Sequence, residues 1–323
     1  MSVLEGLLSG IVADPLEETR WLVLADWLEE FDDPRRAELL RLHRKMLATC
    51  CEPSRHPNRA EWQARMVALL TDGVRPCVPQ ETIALPGGVD MTFSYIPPGS
   101  FLMGSDHPKA RQANEKPVHR VTLTKGFFLG AHPVTQSQWE ALRKRNRSEF
   151  KGDDRPVETV NWDDCQDFCK KLTGHLGGRG RVSLPSEAEW EYACRAGTTT
   201  EFQFGDVITT DLANYNGNYI WNRSPKGKYR KKTTDVASFP ANPWGLFDMH
   251  GNVWQWCEDG YNPYSTGDQI DPKQLTGQSN EYRVMRGGSW CYRPASCRAA
   301  FRFRLAPALR SNCCGFRCVF RLH

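Results

Sequence analysis

Apolar positions in the first 72 residues recur with a helical period. In "EETRWLVLADWLEEFDD" the side chains of Trp21, Leu24 and Leu28 fall on one face, at the spacing of about 3.6 residues that predicts an amphipathic helix. The Asp-Pro pair that follows ends this helix and predicts a second one with Pro34 in its first turn. A third helix is predicted over "NRAEWQARMVALLTD". We therefore expect residues 1–80 to form a small helical module.

From Ala84 onward the pattern changes to short alternating segments. "MTFSYIPPGSFLMGS" and "HRVTLTKGFFLG" read as β-strands. Two further helices are predicted, one in "TQSQWEALRKR" with Thr135 as its N-cap and one in "SEAEWEYACRAG" that ends at Gly197. Beyond Gly197 the chain is dense in Gly, Pro, Asn and Trp and predicts mostly loop. The pattern predicts an α+β, loop-rich domain over residues 84–323, joined to the module by the linker "GVRPCVPQET".

Composition narrows the functional classes only slightly. The net charge of +4 on 323 residues is too small to indicate a nucleic-acid partner or an anionic membrane. No apolar run approaches the roughly 20 residues of a membrane span, and the N-terminus lacks the basic region of a signal peptide, so we expect a cytoplasmic protein. The 12 cysteines are then expected to be reduced, with Cys165 and Cys169 as core thiols on one helix rather than metal ligands.

Six ordered blocks carry a resemblance to a known family. They are "IPPGSFLMGS", "HPVTQSQWEAL", "RPVETVNWDDCQDFCKKL", "LPSEAEWEYACRAGT", "NPWGLFDMHGNVWQW" and "RVMRGGSW…GFR". In this order they resemble formylglycine-generating enzyme, or sulfatase-modifying factor, domains, which implies a C-type-lectin-like fold. The N-terminal "RWLVLADWLEEFDDPRRAELLRL" resembles a repeat-companion module, which implies an adaptor with its own protein partner. The alternative is a helical cap that packs on the main domain.

The family resemblance also implies structural calcium. Calcium takes six to eight oxygen ligands, often backbone carbonyls with one or two carboxylates. In "DMHGNVWQW" the implied ligands are the side chains of Asp248 and Gln255 and the carbonyl oxygens of Gly251 and Val253. A weaker second site would use Asn214 and the carbonyl of Tyr215, but a basic run stands where its acid should be, so a plain turn is favoured. We expect His250 to be a hydrogen-bonded core residue rather than a metal ligand.

Active members of the family oxidise a substrate cysteine with a pair of cysteines that binds copper(I). Linear coordination of this soft ion requires two thiols that face each other. Here the candidates are Cys291 and Cys297, with five intervening residues, one more than in the active enzymes. The sequence therefore argues against a copper-dependent oxidase, which stays the alternative function.

The C-terminal segment separates into a skeleton and a filling. The skeleton includes Gly287, Gly288, Gly315, Trp290, Phe316, Arg298, Arg302 and Arg310, which stand at positions that a fold requires. We expect its three arginines, Arg298, Arg302 and Arg310, to bind loop carbonyls. The filling occupies residues 291–314, which we call the variable region. It comprises Cys291, Tyr292, Arg293, Ser296, Phe301, Phe303, Leu305, Leu309, Ser311, Asn312, Cys313 and Cys314.

This filling resembles that of variable proteins from diversity-generating retroelements. These systems randomise adenines, so that an AAC codon becomes NNC, which never encodes Lys, Glu, Gln, Met or Trp. None of those five residue types occurs in 291–314. The resemblance implies a surface that binds a protein or another macromolecular ligand, and we expect the twelve side chains to face solvent together. Inward packing of the cysteines and aromatic rings is the competing interpretation. Nucleic-acid binding is not favoured, because the rest of the chain lacks a matching basic stripe.

Overall fold

The computed structural model describes residues 2–108, 113–274 and 281–323. Its N-terminal part consists of four helices, α1 (Val3–Ala13), α2 (Glu18–Phe31), α3 (Pro34–Ala48) and α4 (Arg59–Thr71). The Asp33 side chain accepts a hydrogen bond from the backbone N–H of Arg35, and Pro34 opens α3 as predicted. Trp21, Leu24 and Leu28 are buried on one face of α2, which confirms the helical period.

Twelve short strands form three sheets in the described residues that follow. The strands are β1 (Gln80–Leu85), β2 (Val89–Ile96), β3 (Gly99–Met103), β4 (His119–Leu123), β5 (Phe127–Gly130), β6 (Gly180–Ser183), β7 (Trp254–Gly260), β8 (Gln269–Ile270), β9 (Arg283–Arg286), β10 (Phe303–Leu305), β11 (Cys314–Gly315) and β12 (Val319–Leu322). The sheet orders are β1-β2-β5-β12-β6, β10-β9-β7-β11 and β3-β4-β8. The first strand begins inside the segment expected to be a linker.

Three helices complete the domain, α5 (Gln136–Leu142), α6 (Trp162–His175) and α7 (Glu187–Arg195). Thr135 and Ser186 cap α5 and α7 through reciprocal hydrogen bonds with the third helical residue. Cys165 and Cys169 lie on the buried face of α6, so their expected role as core thiols is confirmed. This combination of helices and curled sheets confirms the α+β, C-type-lectin-like fold class.

The N-terminal helices pack against the lectin-like domain. The Arg59 guanidinium on α4 donates to the Gly197 carbonyl at 2.7 Å, and the Cys50 thiol donates to the Ser100 carbonyl at 3.0 Å. His43 on α3 packs edge-on against Trp244, with 5.3 Å between ring centroids. These contacts are those of a packed cap, and an adaptor role for the module stays a prediction. No helix in the described part of the chain is long and apolar enough to cross a membrane.

Candidate functional site

Buried ion pairs hold the variable region against the domain. Arg298 donates to Glu115 at 2.6 Å and to Glu201 at 2.9 Å, and all three side chains are almost fully buried. Arg302 forms a two-point pair with Glu187, with donor–acceptor distances of 2.6 and 2.7 Å. Such bidentate pairs fix both the position and the direction of the guanidinium group. The two arginines therefore anchor the segment from inside.

A third arginine, Arg286 on β9, organises the backbone of the same segment. Its guanidinium donates to the carbonyls of Ala299, Ala300 and Phe301 at 2.8–2.9 Å, and to the Glu191 carboxylate. Burial alone would raise the pKa of Glu191, but the neighbouring arginine cations hold it below its ordinary value. The Glu191 carboxylate is therefore negatively charged, and the neighbouring arginine cations compensate this charge. The turn at 299–301 wraps around one buried cation.

The expected partners of the skeleton arginines need correction. Loop carbonyls were predicted, whereas Arg298 and Arg302 bind mainly carboxylates and Arg310 pairs with Asp164 at 2.8 Å. The carbonyl-binding role falls to Arg286 instead. A buried guanidinium needs a compensating negative charge, which carbonyls alone do not supply.

Two skeleton glycines are required by their surroundings. Gly287 and Gly288 have φ values of 96° and 75°, a region that other residues rarely adopt. A Cβ atom on Gly288 would lie 2.5 Å from the Cys297 sulfur. Trp290 follows and donates its indole N–H to the carbonyl of Asn312 at 3.1 Å. This bond ties the start of the variable region to its end.

Eight of the twelve filling residues reach the surface, and we call them the variable face. Arg293 and Leu309 are exposed, Leu309 by 52% of its surface, and the other six are half-buried. The variable face comprises Cys291, Tyr292, Arg293, Phe303, Leu305, Leu309, Ser311 and Asn312. For these residues a common exposed surface is consistent with the structure.

The other four filling residues, Ser296, Phe301, Cys313 and Cys314, are buried, so the expectation of solvent exposure was wrong for them. Phe301 is 9% exposed because the turn around Arg286 directs its ring inward. The Cys313 carbonyl accepts the N–H of Trp254 at 2.8 Å, and Cys314 pairs with Trp254 as β11 adds to β7. Ser296 lies in the turn that closes over Gly288.

An aromatic layer supports the variable face from below. The Phe303 ring stacks on Trp254 with 4.9 Å between centroids, and Tyr292 meets the same indole edge-on at 5.3 Å. Trp254 is fully buried. Aromatic pairs in this geometry stabilise by about 0.5–1.5 kcal/mol beyond area burial. The half-buried rings are thus presented on a rigid base.

The two thiols that copper chemistry would use lie in different surroundings. The Cys291 sulfur is half-buried and lies 3.5 Å from the Ser289 hydroxyl, whereas the Cys297 thiol is fully buried with the Arg293 carbonyl 3.9 Å away. The neighbouring Cys313 thiol, and then burial, raise the pKa of Cys291, while burial raises the pKa of Cys297. Neither environment favours the thiolate that binds soft metals.

Gln255 does not fit the role of a calcium ligand. Its side-chain oxygen accepts hydrogen bonds from Trp190 at 2.8 Å and from the Arg317 guanidinium at 2.6 Å. The positive charge of Arg317 would repel a cation at that oxygen. Asp248 is buried and accepts the N–H of Ala237 at 2.9 Å, and burial raises its pKa to about 6. The calcium site that also includes Gly251 and Val253 stays a prediction.

The second implied calcium site is a buried polar turn. The Asn214 amide donates to the Lys232 carbonyl at 3.0 Å, and the Tyr215 hydroxyl donates to the Ile208 carbonyl at 3.2 Å. His250 is buried nearby, with its two ring nitrogens 2.7 Å from the Cys297 carbonyl and 3.1 Å from the backbone nitrogen of Gln203. Burial lowers its pKa to about 4, so the ring is neutral. The predicted core role of His250 is confirmed.

Comparison with known proteins agrees with this architecture. The family model described as "Sulfatase-modifying factor enzyme 1-like domain" matches residues 89–322. The serine/threonine-protein kinase pkn1 of Chlamydia caviae is 33% identical over 250 residues, which are 70% of this chain and 37% of the relative. The chain thus spans little more than a third of that relative. The formylglycine-generating enzyme of Mus musculus is 27% identical over 316 residues, 77% of each chain.

A solved structure is similar over nearly its whole length. Treponema denticola variable protein 1 superimposes with a TM-score of 0.63 at 26% identity, covering 75% of this chain and 99% of the other. The family match extends across all but the N-terminal helices and the first strand of the domain. The chain belongs to the sulfatase-modifying factor enzyme 1-like domain family, with a variable protein among its structural neighbours.

Proposed function

We propose that the chain is a variable protein of a diversity-generating retroelement, which binds a protein ligand through the variable face. The observation that carries this proposal is the separation between buried, ion-paired skeleton residues and surface-reaching filling residues in one segment. The similarity to Treponema denticola variable protein 1 supports the same function. A binding surface of this kind needs a backbone that does not depend on its own variable side chains.

The composition of the variable face suits protein recognition. Tyr292 and Phe303 offer large contact areas with few rotatable bonds, so little conformational entropy is lost on binding. Both rings rest on Trp254, which limits their motion before a ligand arrives. Leu309 projects farther into solvent, where a partner would remove it from water. Aromatic anchors surrounded by apolar contacts are typical of interface hot spots.

The proposal predicts that the variable face tolerates randomisation. We expect that a library with NNC codons at the eight positions keeps at least about half of its clones folded, since surface substitutions usually cost within about ±0.5 kcal/mol. Protease resistance of displayed clones, read by sequencing before and after digestion, measures this fraction.

A matched library serves as the control. It places NNC codons at eight skeleton positions, which include Arg286, Trp290, Arg298 and Arg302. Few of these clones are expected to stay folded and resist the protease, because each loses a buried ion pair or a large core contact. Equal survival of the two libraries would contradict the division between skeleton and face.

The alternative function is a copper-dependent oxidase that forms formylglycine, and the enzyme of Mus musculus motivates a direct test. We expect no formylglycine after incubation with copper(I), dioxygen and a peptide carrying the CxPxR motif. The reason is that Cys297 is closed off in the core, while Cys291 is only half-buried, so the two thiols are not equally open to a metal ion. Formylglycine in the mass spectrum, lost on Cys291→Ser, would replace the binding function with the enzymatic one.

A further inference from the structure

A basic loop lies beside the variable face. Residues 217–232 contain six Lys or Arg residues and no acid. Five of them are exposed and form no ion pair within the described chain. We call these five the basic flank, which comprises Arg223, Lys226, Lys228, Lys231 and Lys232. Neighbouring like charges repel each other, so an unpaired cluster of this kind costs stability unless an opposite charge binds it.

The loop that carries the basic flank is held in place by its backbone. The N–H of Gly227 donates to the Gly217 carbonyl at 2.8 Å, which closes the loop. The N–H of Lys228 donates to the Thr210 hydroxyl at 3.1 Å, and the Lys232 carbonyl accepts from the buried Asn214. The positive charges therefore extend from a fixed base rather than from a free tail.

Direct contacts join this loop to the variable face. The N–H of Asn216 donates to the Tyr292 carbonyl at 2.9 Å. The Arg293 guanidinium lies over the Tyr219 ring at 4.7 Å, and Tyr229 stacks on Trp290 with 6.2 Å between centroids. Tyr219 itself is 44% exposed. The flank and the face thus form one continuous surface.

The segment that carries the variable face has no negative charge of its own. The segment 286–317 contains no Asp or Glu. Nearby, Glu149 accepts a hydrogen bond from Asn312, and Asp235 lies 3.7 Å from Arg155. Asp206 and Asp211 precede the loop, and Asp153 and Asp154 lie near its end, where the N–H of Val236 donates to the Asp154 carbonyl. These four acids are exposed, but none forms an ion pair with a cation of the basic flank among the described residues.

We infer that the ligand of the variable face is a protein with an acidic surface, which docks on the basic flank while its apolar contacts meet the variable face. This inference rests on the proposed function and assigns the chemical class of the partner. In this arrangement the flank supplies a constant electrostatic attraction that does not depend on the diversified residues. Complementary charge at the rim of an interface speeds association and sets orientation.

The surface favours an acidic protein over a nucleic acid. Single-stranded nucleic acids bind where free aromatic faces alternate with basic groups. Here Arg293 covers a face of Tyr219, Tyr229 is stacked on Trp290, and Phe303 is stacked on Trp254. The other apolar groups of the variable face are leucines and a thiol, which do not stack on bases.

A random 12-residue peptide library displayed on phage tests this inference with the full-length chain. Peptides selected on the wild-type protein are expected to be enriched in Asp and Glu relative to the unselected library. The flank variant Lys226→Glu, Lys228→Glu, Lys231→Glu, Lys232→Glu should lose this enrichment and bind the selected acidic peptides at least about tenfold more weakly. Its melting temperature should stay near that of the wild type, since the four side chains are exposed.

A charge-matched control reverses four exposed residues elsewhere, Arg75, Lys125, Lys170 and Arg179, and should keep the enrichment. The face variant Phe303→Asn, Leu305→Asn, Leu309→Asn should keep acidic enrichment but select different sequences. If the face variant selected the same peptide sequences as the wild type, that result would count against the proposed function. It would not contradict the inference that the basic flank binds acidic partners. No peptide enrichment, an equal loss in the control, or displacement of the peptides by single-stranded DNA at equal charge would overturn the inference.

Discussion

Replacing Arg298 with alanine is expected to lower the free energy of unfolding by about 3–5 kcal/mol. The substitution leaves Glu115 and Glu201 buried without their shared cation. The carboxylates would then have to take up protons or admit water, and either response costs stability. Urea unfolding followed by tryptophan fluorescence measures the change. Arg302→Ala should also destabilise the domain, because the buried Glu187 carboxylate then keeps only the more distant Arg286 cation at 3.7 Å.

Arg310→Ala provides the control within the same segment. Arg310 is exposed, and its pair with Asp164 lies at the surface. Exposed pairs contribute about 0–1 kcal/mol, so this variant should unfold near the wild-type denaturant concentration. If Arg298→Ala lowered the free energy of unfolding no more than Arg310→Ala, the buried ion pairs would not be what fixes the variable region.

Phe301→Asn is expected to destabilise the domain by about 3–5 kcal/mol, although Phe301 belongs to the filling. The change removes a buried ring that packs on Trp254 and places an amide in its position. If Phe301 were exposed, as the pattern of the filling residues predicts, this substitution would be nearly neutral. Thermal and urea unfolding of the single variant distinguish the two outcomes.

The matched comparison is the triple variant Phe303→Asn, Leu305→Asn, Leu309→Asn. These side chains are half-buried or exposed, so their combined loss should cost no more than about 2 kcal/mol. A triple variant that unfolds as readily as Phe301→Asn would show that the variable face is core. The inward-packing interpretation would then hold for the whole segment.

Local sequence signals predicted the elements whose ends are set by local chemistry. Asp33 and Pro34 define the start of α3, and Thr135 caps α5 as expected. Gly197 follows α7 with a φ of 85°, as its position in the sequence indicated. Each of these features depends on a few neighbouring residues, which is why a single sequence is enough.

The partners of the skeleton arginines could not be predicted in this way. Arg298 pairs with Glu115, which lies 183 residues away, and Arg302 pairs with Glu187, which lies 115 residues away. Glu187 and Glu191 stand four residues apart, so the sequence places both acids on one face of α7. Nothing local identifies the cation that each one meets.

The sequence also could not predict which filling side chains are buried and which reach the surface. The codon rule concerns how a position varies and carries no information about where its side chain points. Phe301 and Phe303 obey the same rule, yet the turn around Arg286 buries the first and leaves the second at the surface. A buried position can therefore satisfy the rule by holding a residue that happens to fit the core.

The DNA around the coding region tests the central claim most directly. Long-read sequencing of the complete replicon should find a second, nearly identical copy of the segment encoding residues 291–314, close to a reverse-transcriptase gene. The two copies should differ at adenines of the template copy, with AAC codons aligned to Tyr292, Phe303, Leu305 and Leu309. A replicon without a second copy, or with differences spread over all four bases and over the codons of Arg298 and Arg302, would contradict the account.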